Sequence, residues 1–227
     1  MPRMPRSAVR GYAYHVFNRG NDKRQLFTQP GDYKEFLWLL RNAPLLKDVQ
    51  LLAYCVMPNH WHLAVMPSNL EALSAYLQWV TGTHGLRWRR RYGHDVAGHV
   101  YQGRFKSVPI LNDRHLFTVL RYVEANPVRA GLVTKALDWP WSSRSLPRDP
   151  AAPARAPWPW PEPPNWDQML DRPQSEHELR AVRSALRKGT PISEESTDPH
   201  AIQSNSTLSQ QSLFTTGELT PRRSSVG

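Results

Sequence analysis

Apolar residues recur with two different periods along the first part of the chain, and the changes of period predict where helices and strands alternate. An aromatic-rich run over 12–20 ends at a glycine, which is typical of a strand that enters a turn. From Asp32, apolar residues recur every three or four positions, which predicts an amphipathic helix that stops near Pro44. Residues 49–67 form two apolar runs around a Pro-Asn pair, so we expect two antiparallel strands joined tightly.

The pattern continues with two more helices and one more strand. Apolar residues share one face from Leu70 to Arg90, which predicts a second helix with a strongly basic end. Residues 98–110 are predicted to form a strand, and residues 113–127 a third helix with Asp113 as its N-cap and Pro127 ending or kinking it. The order β-α-β-β-α-β-α predicts an α+β fold in which helices pack on an antiparallel sheet.

The character of the chain changes after residue 145. A Pro-rich run over 147–166 favours extended polyproline conformation over a core, and residues 175–189 predict one more helix. From about Ser193 the chain is polar and rich in Ser, Thr and Gln, which predicts disorder. We therefore divide the chain into a folded domain, a Pro-rich linker with a short basic helix, and a partly disordered C-terminal extension: 1–145, 146–192 and 193–227.

Positive charge is concentrated in the first of these parts. Residues 1–145 carry 20 Lys and Arg against 9 Asp and Glu, a net charge of +11, whereas residues 146–227 carry 9 against 10. A basic globular region implies a polyanionic partner, with nucleic acid as the first candidate and an anionic membrane surface as the second. No run approaches the roughly 18 apolar residues that span a bilayer, and the start lacks the apolar core of a secretory signal. We expect a cytoplasmic protein that binds nucleic acid and no membrane.

Two histidines in the predicted hairpin are candidate metal ligands. Side chains alternate between the two faces of a strand, so His60 and His62 project to one face while Trp61 projects to the other. Two imidazoles roughly 6–7 Å apart can chelate one divalent ion. A pair of packed structural histidines is the alternative, and the other seven histidines receive no role. Cys55 is the only cysteine, which excludes a cysteine-rich zinc finger.

A tyrosine and an asparagine in the third predicted helix are the next candidates. Tyr122 and Asn126 are four residues apart and share a helix face. An amide oxygen can complete a site begun by two histidines, and a phenol one turn away could meet a phosphate bound there. Alternatively, Tyr122 packs on the sheet and Asn126 caps a new helix that starts at Pro127.

Basic and polar residues alternate near the last predicted strand. Gln102, Arg104 and Lys106 are predicted to line one strand face and, together with Arg19, Arg89 and Arg90, to form a groove for a phosphate backbone. Nearby aromatic residues could stack on unpaired bases or, equally, belong to the core: Trp88, Tyr92, Tyr101 and Phe105.

Four motifs, in this order, resemble the single-tyrosine HUH transposases, and in particular the REP-associated tyrosine transposases of the insertion sequence 200-like family. They are YHVFNRGN, MPNHWHLAVMP, YQGRFKS and YVEANPVRAGLV, within about residues 10–145. The resemblance implies a ferredoxin-like sheet that carries His60 and His62 as metal ligands, with Tyr122 as the nucleophile on a neighbouring helix. It also implies that Asn126 stands where relatives place a third polar ligand, which is Gln in some of them.

The activity that this resemblance implies is cleavage and rejoining of single-stranded or hairpin DNA through a 5′-phosphotyrosine intermediate, assisted by Mg²⁺ or Mn²⁺. It leaves open whether the protein is a monomer or a homodimer. Two alternatives remain, namely a non-catalytic nucleic-acid-binding protein and a metal-dependent hydrolase that uses an activated water. The lack of a carboxylate beside the histidine pair argues against the hydrolase.

Overall fold

The computed structural model describes residues 13–43, 48–93, 98–145, 150 and 152–192. The predicted disordered tail, 193–227, lies outside these described residues. The helices and strands, in chain order, are β1 (Ala13–Arg19), α1 (Pro30–Asn42), β2 (Val49–Met57), β3 (His60–Pro67), α2 (Leu70–Tyr92), β4 (Lys106–Ile110), α3 (Asp113–Glu124), α4 (Asn126–Arg129), α5 (Trp166–Asp171) and α6 (Glu176–Lys188).

The four strands form one antiparallel sheet in the order β2-β3-β1-β4. Strands β2 and β3 are joined by Pro58 and Asn59 alone, as the turn chemistry of these residues predicts. The interleaving of β1 between β3 and β4, with α1 and α2 as crossovers, is the ferredoxin-like arrangement. The α+β prediction is therefore confirmed.

Helices cover both faces of this sheet and enclose two apolar cores. Trp61 belongs to the core between the sheet and helices α1 and α2. Cys55 and Ala64 belong to the second core, where α3, α5 and α6 pack on the opposite face. Because neighbouring side chains of β3 alternate, His62 lies on the same face as this second core, which places the candidate site under α3.

Two of the predicted boundaries are wrong. The strand predicted over 98–110 begins only at Lys106, because residues 98–105 form a bent loop whose one β-bridge to the described residues joins Tyr101 to Gly20. The N-cap of α3 is Asn112 rather than Asp113, since the Asn112 side chain accepts the amide hydrogen of His115.

The segment that follows residue 145 packs on the domain. Strand β2 lies at the edge of the sheet, and the Pro-rich run covers that edge, with Ala156 donating its amide hydrogen to the Leu51 carbonyl at 2.7 Å. The Trp158 indole donates to the Leu52 carbonyl at 3.0 Å, and Trp166 is fully buried. A polyproline-rich chain is extended, but its tryptophans bury apolar area that a free linker would leave in water. The division into domains at residues 145 and 192 stays a prediction.

Candidate active site

His60 and His62 lie together on the sheet face that α3 covers. Their ring centroids are 5.2 Å apart, and the rings are nearly perpendicular, at 87°. Phe17 of the neighbouring strand β1 stacks on His62 with a centroid separation of 4.7 Å, which fixes the plane of that imidazole. Both predicted metal ligands are therefore on one side of β3, and Trp61 is on the other.

Both imidazoles are held in the neutral form. Burial, aided by the positive charges of Arg129 and Arg19, lowers the pKa of His60 to about 4. Burial also holds the pKa of His62 well below its usual value, with smaller contributions from His15 and His60. Neutral imidazole keeps one ring nitrogen with a free lone pair, and this is the form that binds a metal ion.

Hydrogen bonds define which ring nitrogen is free. Asn59 Nδ2 donates to the Lys23 carbonyl at 3.3 Å, so Asn59 Oδ1 faces His60 Nδ1 at 2.7 Å. His60 therefore donates through Nδ1, and its Nε2 is the unprotonated ring nitrogen. His62 Nδ1 lies 2.9 Å from His15 Nε2. When the shared proton is on His62 Nδ1, the Nε2 lone pair of His62 is free as well.

Tyr122 lies beside the histidines, in the last turn of α3. Its ring centroid is 5.4 Å from that of His62, with the two planes at 85°. The residue is only 7% exposed, because α3 is strongly amphipathic and turns Leu116, Leu120 and Val123 into the second core. The predicted convergence of His62 and Tyr122 is thus present within a single chain.

Asn126 reaches the same place across a break in the helix. Helix α3 ends at Glu124 with Ala125 as its C-cap, and α4 begins at Asn126 with Pro127 in its first turn, where the missing amide hydrogen of proline is harmless. The Asn126 side chain lies within hydrogen-bonding reach of His60 and is 5% exposed. Its Nδ2 has no hydrogen-bond partner among the described residues. The buried amide of Asn126 therefore fits a third ligand position.

No third His, Cys, Asp or Glu joins the two histidines in a ligand cluster within the described ranges. The donor set at this place is therefore two imidazole nitrogens and one amide group. Such a set leaves several coordination positions of a divalent ion for water or for phosphate oxygens.

An open cleft with a volume of about 510 Å³ lies in front of His60, His62 and Tyr122. Helix α6 contributes to its lining, and Lys106 Nζ donates to the Arg187 carbonyl at 3.4 Å across the junction of β4 and α6. In the described part of the chain, cations line this cleft and carboxylates do not. The cations are Arg19, Lys23, Lys106, Arg183 and Arg187. The cleft therefore suits a polyanion.

A strained turn after β1 brings Lys23 to this cleft. Asp22 and Lys23 both have left-handed backbone conformation, with φ of 49° and 56°. The turn is held by the Gly20 amide, which donates to the Asn59 carbonyl at 2.8 Å. A Cβ at Gly20 would lie 2.2 Å from the Arg24 carbonyl oxygen, so a side chain at this position would push the turn away from β3.

The predicted DNA-binding residues are only partly brought together. Arg19, Gln102 and Lys106 line the cleft, and Arg19 Nε donates to Gln102 Oε1 at 2.5 Å. Three others are exposed and are not among the described residues that line it: Arg89, Arg90 and Arg104. Their contact with DNA stays a prediction.

The aromatic residues that were candidates for base stacking belong to the core or to its rim. Trp88 is buried and donates to the Leu26 carbonyl at 3.1 Å. Tyr101 is buried beside His84, with its hydroxyl 2.8 Å from His84 Nδ1. Phe105 is buried as well, and the Tyr92 hydroxyl donates to the Asp32 carboxylate at 2.9 Å. The core interpretation of these residues therefore holds.

The sequence patterns did not predict two residues of the site, His15 and Arg129. His15 lies in the middle of β1, with its ring 5.7 Å from that of Tyr122 and hydrogen-bonded to His62. Burial lowers its pKa to about 3. Arg129 places its guanidinium over the Tyr122 ring, 4.0 Å from the centroid. Arg129 lies in the same short sequence motif as Tyr122 and Asn126, and this nearness in sequence could have pointed to it. The distance from its guanidinium to the Tyr122 ring depends on the break at Ala125, which the motif does not predict.

Comparison with known protein families identifies the family to which a chain with these site residues belongs. The family model described as "Transposase IS200 like" matches residues 8–126, more than half of the chain. The chain belongs to the IS200-like transposase family. This confirms the resemblance that the four motifs predict, and the matched region of this IS200-like transposase contains His60, His62, Tyr122 and Asn126.

Individual relatives of this IS200-like transposase carry related descriptions. The chain is 29% identical over 102 residues to a "Putative REP-associated tyrosine transposase" of Haemophilus influenzae, a match that covers 41% of this chain and 58% of the relative. The chain thus spans little more than half the length of that curated relative. A solved structure described as "Structure of the REP associates tyrosine transposase bound to a REP hairpin" is 22% identical, with a TM-score of 0.48 over 63% of this chain and 82% of that one.

No helix in the described ranges is long and apolar enough to cross a membrane.

Proposed function

We propose that this protein cleaves and rejoins single-stranded DNA, presented at repeat hairpins, through a covalent 5′-phosphotyrosine link on Tyr122. The observation that carries the proposal is the edge-on approach of the Tyr122 ring to His62, at 5.4 Å between centroids, beside a cleft lined by cations. A phenol, two neutral imidazoles and a basic cleft together suit the transfer of a phosphodiester to tyrosine.

His60 and His62 would hold a divalent ion, Mg²⁺ or Mn²⁺, with Asn126 as a third ligand. When bound, such an ion would withdraw negative charge from a non-bridging oxygen of the scissile phosphate. The surrounding protein supports this role, because burial keeps both imidazoles neutral and Phe17 and His15 restrain the His62 ring. Restrained ligands bind a metal more tightly than mobile ones, since less conformational entropy is lost.

Tyr122 supplies the nucleophile. Its phenol oxygen forms a bond to phosphorus, the bond from phosphorus to the 3′ oxygen breaks, and the freed 3′ oxygen takes up a proton while the phenol loses one. The phosphodiester is exchanged for a phosphotyrosine ester, so the strand can be rejoined by the reverse attack without a nucleotide cofactor. The cleft cations would hold the flanking phosphates in register during both steps.

The burial of Tyr122 favours a single strand as the substrate. Because the residue is 7% exposed, a phosphodiester has to enter the cleft to reach it. A flexible single strand bends into a cleft at small cost, whereas a duplex of the same length resists bending. Unpaired DNA next to a hairpin stem is flexible and can enter the cleft. A relative described as REP-associated makes repeat hairpins the first substrates to test.

The deciding experiment is a covalent-adduct assay. Hairpin DNA with unpaired flanks, labelled on the 3′ side of the cleavage position, is incubated with protein and Mn²⁺ and then separated under denaturing conditions. The wild type should retain label on the protein, and a chelator should abolish this. Tyr122→Phe should form no adduct but bind the DNA with unchanged affinity, because only the hydroxyl is lost. An adduct in Tyr122→Phe would show that another residue is the nucleophile.

The same assay separates the two alternative functions. A non-catalytic DNA-binding protein would bind the hairpin but leave it intact, and a hydrolase would cut it without labelling the protein. The absence of carboxylates among the described residues that line the cleft disfavours the hydrolase, because an attacking water needs a base.

A further inference from the structure

Arg129 makes three contacts with or beside the proposed nucleophile. Its guanidinium carbon lies 4.0 Å from the centroid of the Tyr122 ring. Its Nη2 donates to the backbone carbonyl of Tyr122 at 3.1 Å, and its Nη1 donates to Gln174 Oε1 at 3.4 Å. The guanidinium therefore restrains both the ring and the backbone of Tyr122, and Gln174 restrains the guanidinium in turn.

The charge of Arg129 has no carboxylate partner within the described part of the chain. The ion pairs found there join other residues. Arg129 is nevertheless half-buried, and burial is the main reason why its pKa is lowered. A cation withdrawn from water without a counter-charge is unfavourable, so a position of this kind suits negative charge that develops beside it during a reaction.

Tyr122 lies between this cation and the histidine pair. The Tyr122 ring contacts His62 by its edge and Arg129 by its face, and the phenol group is within hydrogen-bonding reach of the guanidinium. During attack on a phosphate, negative charge passes through the phenol oxygen. A fixed cation beside that oxygen lowers the energy of the transition state, because it needs no reorganisation when the charge develops.

We propose that Arg129 is a positioning residue of the phosphotyrosine step, which holds the Tyr122 ring in its attacking orientation and offsets the negative charge that develops there. The inference rests on the proposed function of Tyr122. Arg129 lies beyond residue 126, where the family match ends. Because Gln174 restrains the Arg129 guanidinium, the segment after residue 145 would also support the reaction. Arg129 keeps its protons throughout, and bond formation and cleavage are those of the Tyr122 step.

The test compares Arg129→Gln, Arg129→Lys and Arg129→Ala with the wild type in a single-turnover adduct assay at saturating hairpin DNA and Mn²⁺. Arg129→Gln should lower the rate roughly 100-fold, the size of effect seen when one charge-stabilising donor is removed. Arg129→Lys should recover most of the rate, because it retains the positive charge. The dissociation constant for DNA, measured by anisotropy, should stay within about twofold for all variants, since Arg129 acts through Tyr122.

A chemical rescue separates charge from packing. Guanidinium at millimolar concentration should restore adduct formation by Arg129→Ala, whereas urea, which has the same shape without the charge, should not. Rescue by both compounds, or a rate for Arg129→Lys as low as that of Arg129→Gln, would reduce Arg129 to a packing role and overturn the inference. Arg180→Gln, on the exposed side of α6, is the matched control and should react as the wild type does.

The failures of the two proposals can be told apart. If the wild type forms no adduct, the proposed function of Tyr122 fails, whatever the Arg129 variants do. If the wild type forms an adduct that Tyr122→Phe does not, and Arg129→Gln reacts at the wild-type rate, only the inference about Arg129 fails. Unfolding in urea, followed for each variant, detects any loss of the fold itself.

Discussion

His15 Nε2 and His62 Nδ1 lie 2.9 Å apart, which makes His15 the partner that orients a candidate metal ligand from the neighbouring strand. His15 itself is buried and has its own ring edge-on to Tyr122. The two histidines thus connect β1 to β3 beneath Tyr122. A hydrogen bond of this kind restrains the ring plane of the ligand.

Replacing His15 should therefore weaken metal binding. His15→Phe retains the ring but removes the hydrogen bond to His62, and we expect Mn²⁺ affinity to fall roughly 10- to 100-fold. Isothermal titration calorimetry with Mn²⁺ measures this directly. His84→Phe is the matched control, because His84 is a buried histidine with one hydrogen bond outside the site. Equal affinity of His15→Phe and the wild type would remove the metal-orienting role.

The cations of α6 should contribute to DNA binding. Arg183→Ala and Arg187→Ala should each weaken hairpin binding and reduce the slope of log K against log salt by about 1, the value expected for one lost phosphate contact. Anisotropy titrations over a range of salt concentrations give this slope. Arg180→Ala removes a cation from the same helix outside the cleft and should leave the slope unchanged. If all three variants lower the salt slope equally, α6 contributes to DNA binding through its net charge and not through contacts in the cleft.

The segment beyond residue 145 should contribute strongly to stability. Trp166 is fully buried, packs edge-on against Phe117 and donates to Glu124 at 2.8 Å. Trp166→Ala should cost about 3–5 kcal/mol of unfolding free energy. Trp38→Ala, at a position that is 43% exposed, should cost less than about 1 kcal/mol and is the control. Urea denaturation measures both, and a small loss for Trp166→Ala would mean that this segment is not part of the core.

Glu124 should make stability depend on pH. Burial raises its pKa above the usual 4.5, against the opposing effect of hydrogen bonds from Ser143 and Trp166. The folded state therefore holds the proton more tightly, so this contribution to stability is present below the unfolded pKa and is lost as pH rises through the folded pKa. Glu124→Gln lacks this titration.

The stability advantage of the wild type over Glu124→Gln should thus be largest below the ordinary pKa of 4.5 and shrink as the pH rises above it. Urea unfolding at several pH values tests this. A difference that grows with pH would show that the ionised carboxylate is the better stabilised form, through its contacts with Ser143, Trp166 and Arg155.

Local periodicity predicts much of the site but not its contacts. The alternation around Trp61 places His60 and His62 on one face, because a strand has a period of two wherever it is. The four-residue spacing of Tyr122 and Asn126 predicts proximity for a continuous helix, whereas the real approach uses a break at Ala125. Asn126 nevertheless lies within hydrogen-bonding reach of His60, so the break keeps it beside the histidine pair.

Long-range pairing accounts for what the sequence does not predict. His15 meets His62 because β1 and β3 pair in the register that sets His15 opposite Ala64 and Phe17 opposite His62. Such a register cannot be derived from either strand alone. The arginines of α6 reach the cleft because α6 packs against α3 and β4. The Pro-rich run before it packs on β2 as well, and compositional rules predict no packing for such a run.

The burial of Cys55 has a practical consequence. It is the sole thiol in the sequence, it is fully enclosed in the second core, and burial raises its pKa, so it resists alkylation in the folded protein. A cysteine introduced at Gln102, on the wall of the cleft, would be the one site that a maleimide dye labels. The native chain is thus already suited to watching a DNA strand enter and leave by fluorescence, without prior removal of background cysteines.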